Sequence, residues 1–310
     1  MELVKLKGNT YILESLNRVG IYVVNENEAI VIDTGVSPDD GKKIMEICAS
    51  QGWQIKMILN THAHPDHIGG NQIIQETLGV PIYAVGAEKT IIERPLLLGM
   101  MAGGGYPPKF IEANYPFPAG SKAEELTEAV LPEGLELIHL PGHSENMVGF
   151  KTADGVVFLG DAVTGMSYLQ RYKLQFMFDA KAYLNTFNKL ESLKGEIFVP
   201  SHGEYVEGSL TELVEANLQS FLEVLSVILM QIIEEKNTYE EILNGVATYY
   251  GIKINLTKEM VIGTTIKCSL VYLIEKGFVN ILPNERKFIG NEEKLPKDFT
   301  VANGVLLFQQ

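Results

Sequence analysis

Three of the chain's six histidines and one aspartate fall within six positions: His62, His64, Asp66 and His67, in the segment NTHAHPDHIGG at residues 60–70. A neutral imidazole or an ionised carboxylate offers a lone pair to a divalent cation, and four such groups on one short stretch favour a metal site over isolated structural histidines. The spacing H-x-H-x-D-H is unlike HExxH, which sets two histidines on one helical face. The segment must be a turn, able to splay alternate side chains toward two neighbouring ions. Cys48 and Cys268 lie far apart with no CxxC partner, so neither a thiolate zinc site nor a disulfide framework is suggested.

The same local setting recurs elsewhere. His143 lies in LELIHLPGHSEN, Asp161 in GVVFLGDAV and His202 in EIFVPSHGE, each just past an apolar strand and beside Gly or Pro. Four strand ends therefore each offer a ligand suited to zinc, manganese or iron, at positions where loops converge on ligands. Asp33, ending AIVIDTG, is at a strand end too and suits a carboxylate that orients ligating imidazoles. His139 lies within LELIHL rather than beyond it and reads as structural.

The elements that must position these groups are legible in outline. TYILES, GIYVVNE and AIVIDTG predict a meander of short strands; DDGKKIMEICASQG predicts a helix, and IKMILN a buried strand delivering the histidine turn. Helix NQIIQETLG, strand PIYAV and four later strands follow. Strands early and late with helices between predict an α/β, four-layer αββα sandwich over residues 1–208 rather than a doubly wound parallel sheet. Residues 94–120, rich in Gly and Pro with no steady apolar period, read as an irregular loop and a candidate lid or pocket wall. A long helix is expected across residues 209–237, its broad apolar stripe suiting a domain junction or a homodimer interface. Residues 238–310 read as a mostly helical, winged-helix-like module opened by the capping box Thr238–Glu241, with the terminal VANGVLLFQQ as a docking strand.

With 310 residues, 46% hydrophobic and 21% charged, the chain is an ordinary globular protein in composition. A net charge of −14 repels polyanions, which weighs against nucleic acid and anionic membranes as partners. No stretch reads as a membrane span or a targeting segment, so a cytoplasmic location is expected.

In order along the chain, Asp33, His62-x-His64-x-Asp66-His67, His143, Asp161 and His202 resemble the ligand pattern of the metallo-β-lactamase superfamily. The resemblance implies one divalent ion on His62, His64 and His143, a second on Asp66, His67 and His202, and Asp161 bridging them. Zinc is the expected metal, with manganese or iron as alternatives. A water shared by two such ions has its pKa drawn toward ~7 and becomes a hydroxide nucleophile. Asp66 and Asp161 are then the catalytic carboxylates, Asp66 also passing a proton to the leaving group.

Within that superfamily, β-lactam hydrolases place a cysteine in the second site and lack the bridging aspartate, so Asp161 directs the expectation to the glyoxalase II, lactonase and RNA-processing branches. The expected reaction is hydrolysis of a small-molecule ester, thioester or lactone, with Tyr106, Tyr168 and Tyr172 as substrate-binding candidates. The run of basic residues that glyoxalase II sets around its glutathione carboxylates is missing. Three alternatives remain: an RNA nuclease, a mono-iron oxidoreductase such as a persulfide dioxygenase, and a non-catalytic metal-binding protein. Oxygen-reducing diiron members replace the second histidine with glutamate, whereas His64 is retained here. Against a nuclease, residues 238–310 balance their basic and acidic side chains and carry no arginine cluster. Against a merely structural metal, one closed shell needs only four ligands.

Overall fold

The computed structural model describes residues 1–107, 117–282 and 284–309. Two sheets carry the fold. The first runs β1 (Glu2–Lys7), β2 (Thr10–Glu14), β3 (Val19–Asn25), β4 (Glu28–Ile32), β5 (Gln54–Leu59), β6 (Ile82–Ala84) and β7 (Ala123–Glu125), side by side in chain order. β1 to β4 form an antiparallel meander, and β4 to β7 are parallel. The second sheet has the order β12 (Val206–Glu207), β11 (Ile197–Pro200), β10 (Val156–Gly160), β9 (Val148–Thr152), β8 (Leu135–His139).

Period-two alternation builds the layers, because successive strand side chains face opposite sides. Ile12, Ile30 and Ile32 of the first sheet meet Phe150, Val156, Phe158 and Val199 of the second in a core between the sheets. Their neighbours Leu13, Ala29 and Val31 point outward and pack under helices α1 (Pro38–Ser50), α2 (Pro65–Ile68), α3 (Asn71–Leu78) and α4 (Ala87–Glu93) through Ile44, Cys48, Ile68, Ile74 and Ile92. Val157, Leu159 and Phe198 face the other way, into a third cluster. The result is the αββα sandwich read from the sequence.

Two local expectations are corrected. Residues 94–120 are not uniformly irregular, since α5 (Leu96–Gly103) forms there; residues 108–116 lie outside the described residues. The terminal segment, read as a docking strand, is instead a helix over Val301–Phe308. Thr300 and Asn303 form a reciprocal capping box that starts it.

The third cluster is continuous with the C-terminal helices. After β10 comes the short helix α6 (Met166–Arg171), and the cluster then joins the second sheet to α7 (Ala180–Glu191), α8 (Thr211–Ile233), α9 (Tyr239–Tyr249) and α10 (Leu256–Glu275). A hairpin, β13 (Val279–Leu282) and β14 (Lys287–Gly290), completes the helix–helix–hairpin order, and the terminal helix is α11. Gly304 lets α11 approach α8 closely, where a Cβ would lie 2.8 Å from Ser226 Oγ. By length and composition α8 is apolar enough to cross a membrane, which the sequence reading above does not anticipate, but most of it is buried inside the protein. A helix covered on several sides reads as apolar nearly all round.

Candidate metal centre

β8, β10 and β11 point the same way, because β8 and β10 are both antiparallel to β9 and β10 is parallel to β11. Their C-terminal ends therefore deliver His143, Asp161 and His202 to one edge of the sandwich. β4 and β5, parallel in the first sheet, deliver Asp33 and the histidine turn. All seven candidate ligands meet there, with Asp33 behind them.

Three donor groups form, each with its ligand atoms within 4.8 Å of one another: His62, His64 and His143; His62, His67 and Asp161; Asp66, His67 and His202. Asp161 lies between the outer two. Its Oδ2 is 3.4 Å from His143 Nε2 and 3.4 Å from His202 Nε2, and its Oδ1 is 3.5 Å from His67 Nε2.

Hydrogen bonds behind the rings decide which nitrogen faces inward. His67 Nδ1 lies 2.8 Å from Asp33 Oδ2, so it donates there and leaves Nε2 for a cation. Thr61 Oγ1 donates to the same Asp33 oxygen at 2.7 Å and stands 3.0 Å from His62 Nδ1, so that nitrogen is the donor in turn. His143 Nδ1 donates to the Phe176 carbonyl at 3.1 Å. Asp33 also accepts from Thr61 N at 2.8 Å and adopts φ 59°, a left-handed backbone that aspartate tolerates better than most residues.

The donor set fits divalent cations. His62 Nε2, His67 Nε2 and Asp161 Oδ1 are buried with no hydrogen-bond partner, and they converge on one another. Buried polar atoms without partners are rare, and a cation among them removes the penalty. Protonation agrees with this. Burial, reinforced by the neighbouring imidazoles, pushes His64 down to about 3 and holds His62 and His143 below the usual value, so these rings are neutral. Burial alone would raise the Asp66 and Asp161 carboxyls, but the adjacent histidines hold both below the usual carboxylate range. Burial likewise opposes charge on His202 and His67, yet Asp161 and the other carboxylates raise His202 to about 9 and His67 well above the ordinary value. Protons held on those two rings are what an incoming cation displaces.

The remaining candidates separate. Tyr168 lines the cavity over the centre and stacks on His202, ring centroids 4.7 Å apart, and Tyr172 lines it beside Tyr168. Tyr106 is 70% exposed and is not among the lining residues. His139 is exposed at the end of β8 and belongs to none of the donor groups.

Four residues have roles that the sequence reading does not foresee. Glu88, buried on α4, accepts from Ala63 N at 2.9 Å, Asn146 N at 3.0 Å and Ser144 Oγ at 2.7 Å, and so ties the histidine turn to the His143 loop. Asn17 donates to Asp66 Oδ2 at 2.7 Å. Phe176 packs edge-on to His64, ring centroids 4.8 Å apart. Thr265 of α10 donates to Gln175 O at 2.7 Å and accepts from Met177 N at 2.9 Å, bracketing Phe176. Only Asn17 has a local signal, its place in a turn between two strands.

A sequence model of the metallo-beta-lactamase superfamily matches residues 17–202. The chain is 23% identical to a hydroxyacylglutathione hydrolase of Erythrobacter litoralis over 194 residues, which is 62% of this chain and 64% of that enzyme. It covers less than two thirds of the length of the first curated relatives it matches. In fold it is similar to a beta-lactamase domain protein from Burkholderia ambifaria, with TM-score 0.68 and 16% identity over 94% of each chain. A metallo-beta-lactamase family protein from Thermus thermophilus gives TM-score 0.63 and 19% identity over 91% of this chain and 99% of that one. Both likenesses extend well past residue 202, into the C-terminal helices.

Proposed function

The chain belongs to the metallo-β-lactamase superfamily, and from its donor set we propose that it is a binuclear metallohydrolase cleaving a small ester, thioester or lactone. The observation that carries the reading is the position of Asp161, its Oδ2 equidistant from His143 and His202 between two three-residue donor groups. We assign His62, His64 and His143 to one divalent cation, Asp66, His67 and His202 to another, and Asp161 to both. Zinc suits this set of nitrogen and oxygen donors, with manganese or iron as the alternatives. Cations held there would supply Lewis acidity and would lower the pKa of a bound water toward ~7.

The residues divide the remaining work. Asp33 and the Phe176 carbonyl fix ring orientation. Asp66 and Asp161 differ in access: the Asp66 side chain is 29% exposed and Asp161 only 7%, so Asp66 is the carboxylate able to exchange a proton with substrate. In the net reaction one water is consumed and the acyl–oxygen or acyl–sulfur bond breaks. The carbonyl carbon gains the water oxygen, and the alcohol or thiol leaves with a proton passed through Asp66. Tyr168, stacked on His202 and raised to about 12 by burial and Asp161, stays a phenol and can donate to the substrate oxygen.

The resemblance of the Erythrobacter enzyme, named for hydrolysis of an acyl thioester, supports acyl chemistry. The test is metal analysis followed by a panel of thioesters, lactones, phosphodiesters and single-stranded RNA. We expect close to two ions per chain and turnover of acyl substrates, abolished in His62→Ala. One iron per chain, or cleavage of RNA with no acyl turnover, overturns the proposal.

A further inference from the structure

The cavity over the centre, about 280 Å³, is walled on the side away from the ligands by Leu98 and Ala102 of α5, Phe117, Leu174, and Met260 and Val261 of α10. Hydrolysis itself requires none of these side chains. A second hollow of about 270 Å³ adjoins it, sharing His64, Leu98 and Phe176. Among the described residues lining either hollow there is no lysine or arginine.

The wall is closely apposed as well as apolar. A Cβ on Gly99 would lie 2.4 Å from Phe117 Cζ, so α5 lies against Phe117 only because that position is glycine. A Cβ on Gly103 would stand 3.5 Å from Met260 Cε, which places the C-terminal end of α5 against the first turns of α10. An anionic tail seated here would lose its hydration with no cationic side chain to replace it. A hydrocarbon tail gains by leaving water for this wall.

We infer that the part of the substrate beyond the reacting carbonyl is an uncharged hydrocarbon chain, held between α5 and α10 with Ala102 and Met260 setting its length. The inference rests on the acyl-hydrolase reading above. It gives the C-terminal region a direct part in substrate selection, because Met260 and Val261 belong to it.

The test uses the full-length, metal-loaded protein and p-nitrophenyl esters of acetate, butanoate, hexanoate and octanoate, with S-lactoylglutathione as the anionic comparison. Each methylene buried raises kcat/KM about fourfold until the wall is filled. Ala102→Phe, which fills the wall, lowers the octanoate-to-acetate ratio at least tenfold; Met260→Ala, which enlarges it, moves the optimum to a longer chain. A parallel calorimetric titration with 2-decanone, uncharged and not hydrolysable, reads the wall without turnover and weakens in Ala102→Phe. Equal kcat/KM across the esters, preference for S-lactoylglutathione, or no binding of 2-decanone overturns the hydrocarbon inference while acyl turnover leaves the hydrolase reading standing. Binding of 2-decanone without turnover of any acyl substrate overturns the hydrolase reading instead.

Discussion

Asp33 Oδ2 lies 2.8 Å from His67 Nδ1 and accepts from Thr61 Oγ1, itself beside His62 Nδ1, so one carboxylate sets the rings of two histidines that share the middle donor group and belong one to each outer group. Asp33→Asn offers an amide where two donors now point at an oxygen. Loss of such a partner weakens metal binding by about 10- to 100-fold. Because both groups depend on Asp33, competition with a chromogenic chelator should show both ions weakened; selective loss of one would place the control of His62 elsewhere.

Thr265 brackets Phe176, whose carbonyl receives His143 Nδ1. Thr265→Val leaves Met177 N–H buried without an acceptor, a cost of about 1–3 kcal/mol. We expect a lower Tm together with weaker binding of the cation that His143 serves, and recovery of both in Thr265→Ser. A drop in Tm with metal affinity intact would reduce Thr265 to packing.

Glu88 accepts two backbone N–H groups and one hydroxyl inside the protein. Burial raises its carboxyl above the ordinary range, against the three hydrogen bonds that lower it. Glu88→Ala strands both N–H groups, and a loss of about 2–5 kcal/mol follows. Glu88→Gln, which still offers one oxygen, should lose less. Urea unfolding of the metal-loaded proteins checks the order, and equal losses would count against the bridging role.

Metal removal should give the protein a distinctive pH dependence. In the metal-free protein His202 titrates at about 9, above its unfolded value of 6.5. Stability from that shift is complete below ~6.5 and is lost as pH rises through about 9. The Tm of chelator-treated protein should therefore fall across pH 6.5–9, a fall missing from the metal-loaded form. Loading at pH 7 should also release protons, seen as an apparent binding enthalpy that changes with buffer ionisation enthalpy.

Burial pushes both thiols up to about 12, Cys48 on the buried face of α1 and Cys268 on α10. Thiolate is the reactive form, so neither should react with a disulfide reagent at pH 8 within minutes, while both react in guanidinium chloride. Prompt labelling of one thiol in the folded protein would show that its environment opens.

The ligand set was legible because each member combines a polar donor with a strand end, and both signals are local. The layers were legible for a similar reason: Ile12 and Leu13, or Val156 and Val157, alternate in plain view. Helix α7 carried a usable but unread signal in Ala180, Tyr183, Phe187 and Leu190. What stayed hidden acts at a distance or without a side-chain signature. Phe176 orients His143 with a main-chain carbonyl, which every residue possesses. Nothing in AEKTIIER marks Glu88 as buried, because its partners sit on two loops remote in sequence. Helix α5 is apolar on every side, so LLLGMMAG shows no period to betray it.

The bracket that Thr265 places around Phe176 joins residues 88 positions apart. On a ribosome the histidine turn, Asp161 and His202 all emerge well before Thr265 does. Until then the carbonyl that steers His143 has no brace, and the α10 side of the cavity does not exist. At about 5–20 residues per second the delay is several seconds. The donor residues are therefore all synthesised before the brace that fixes the carbonyl orienting His143, and the centre is finished only when α10 docks.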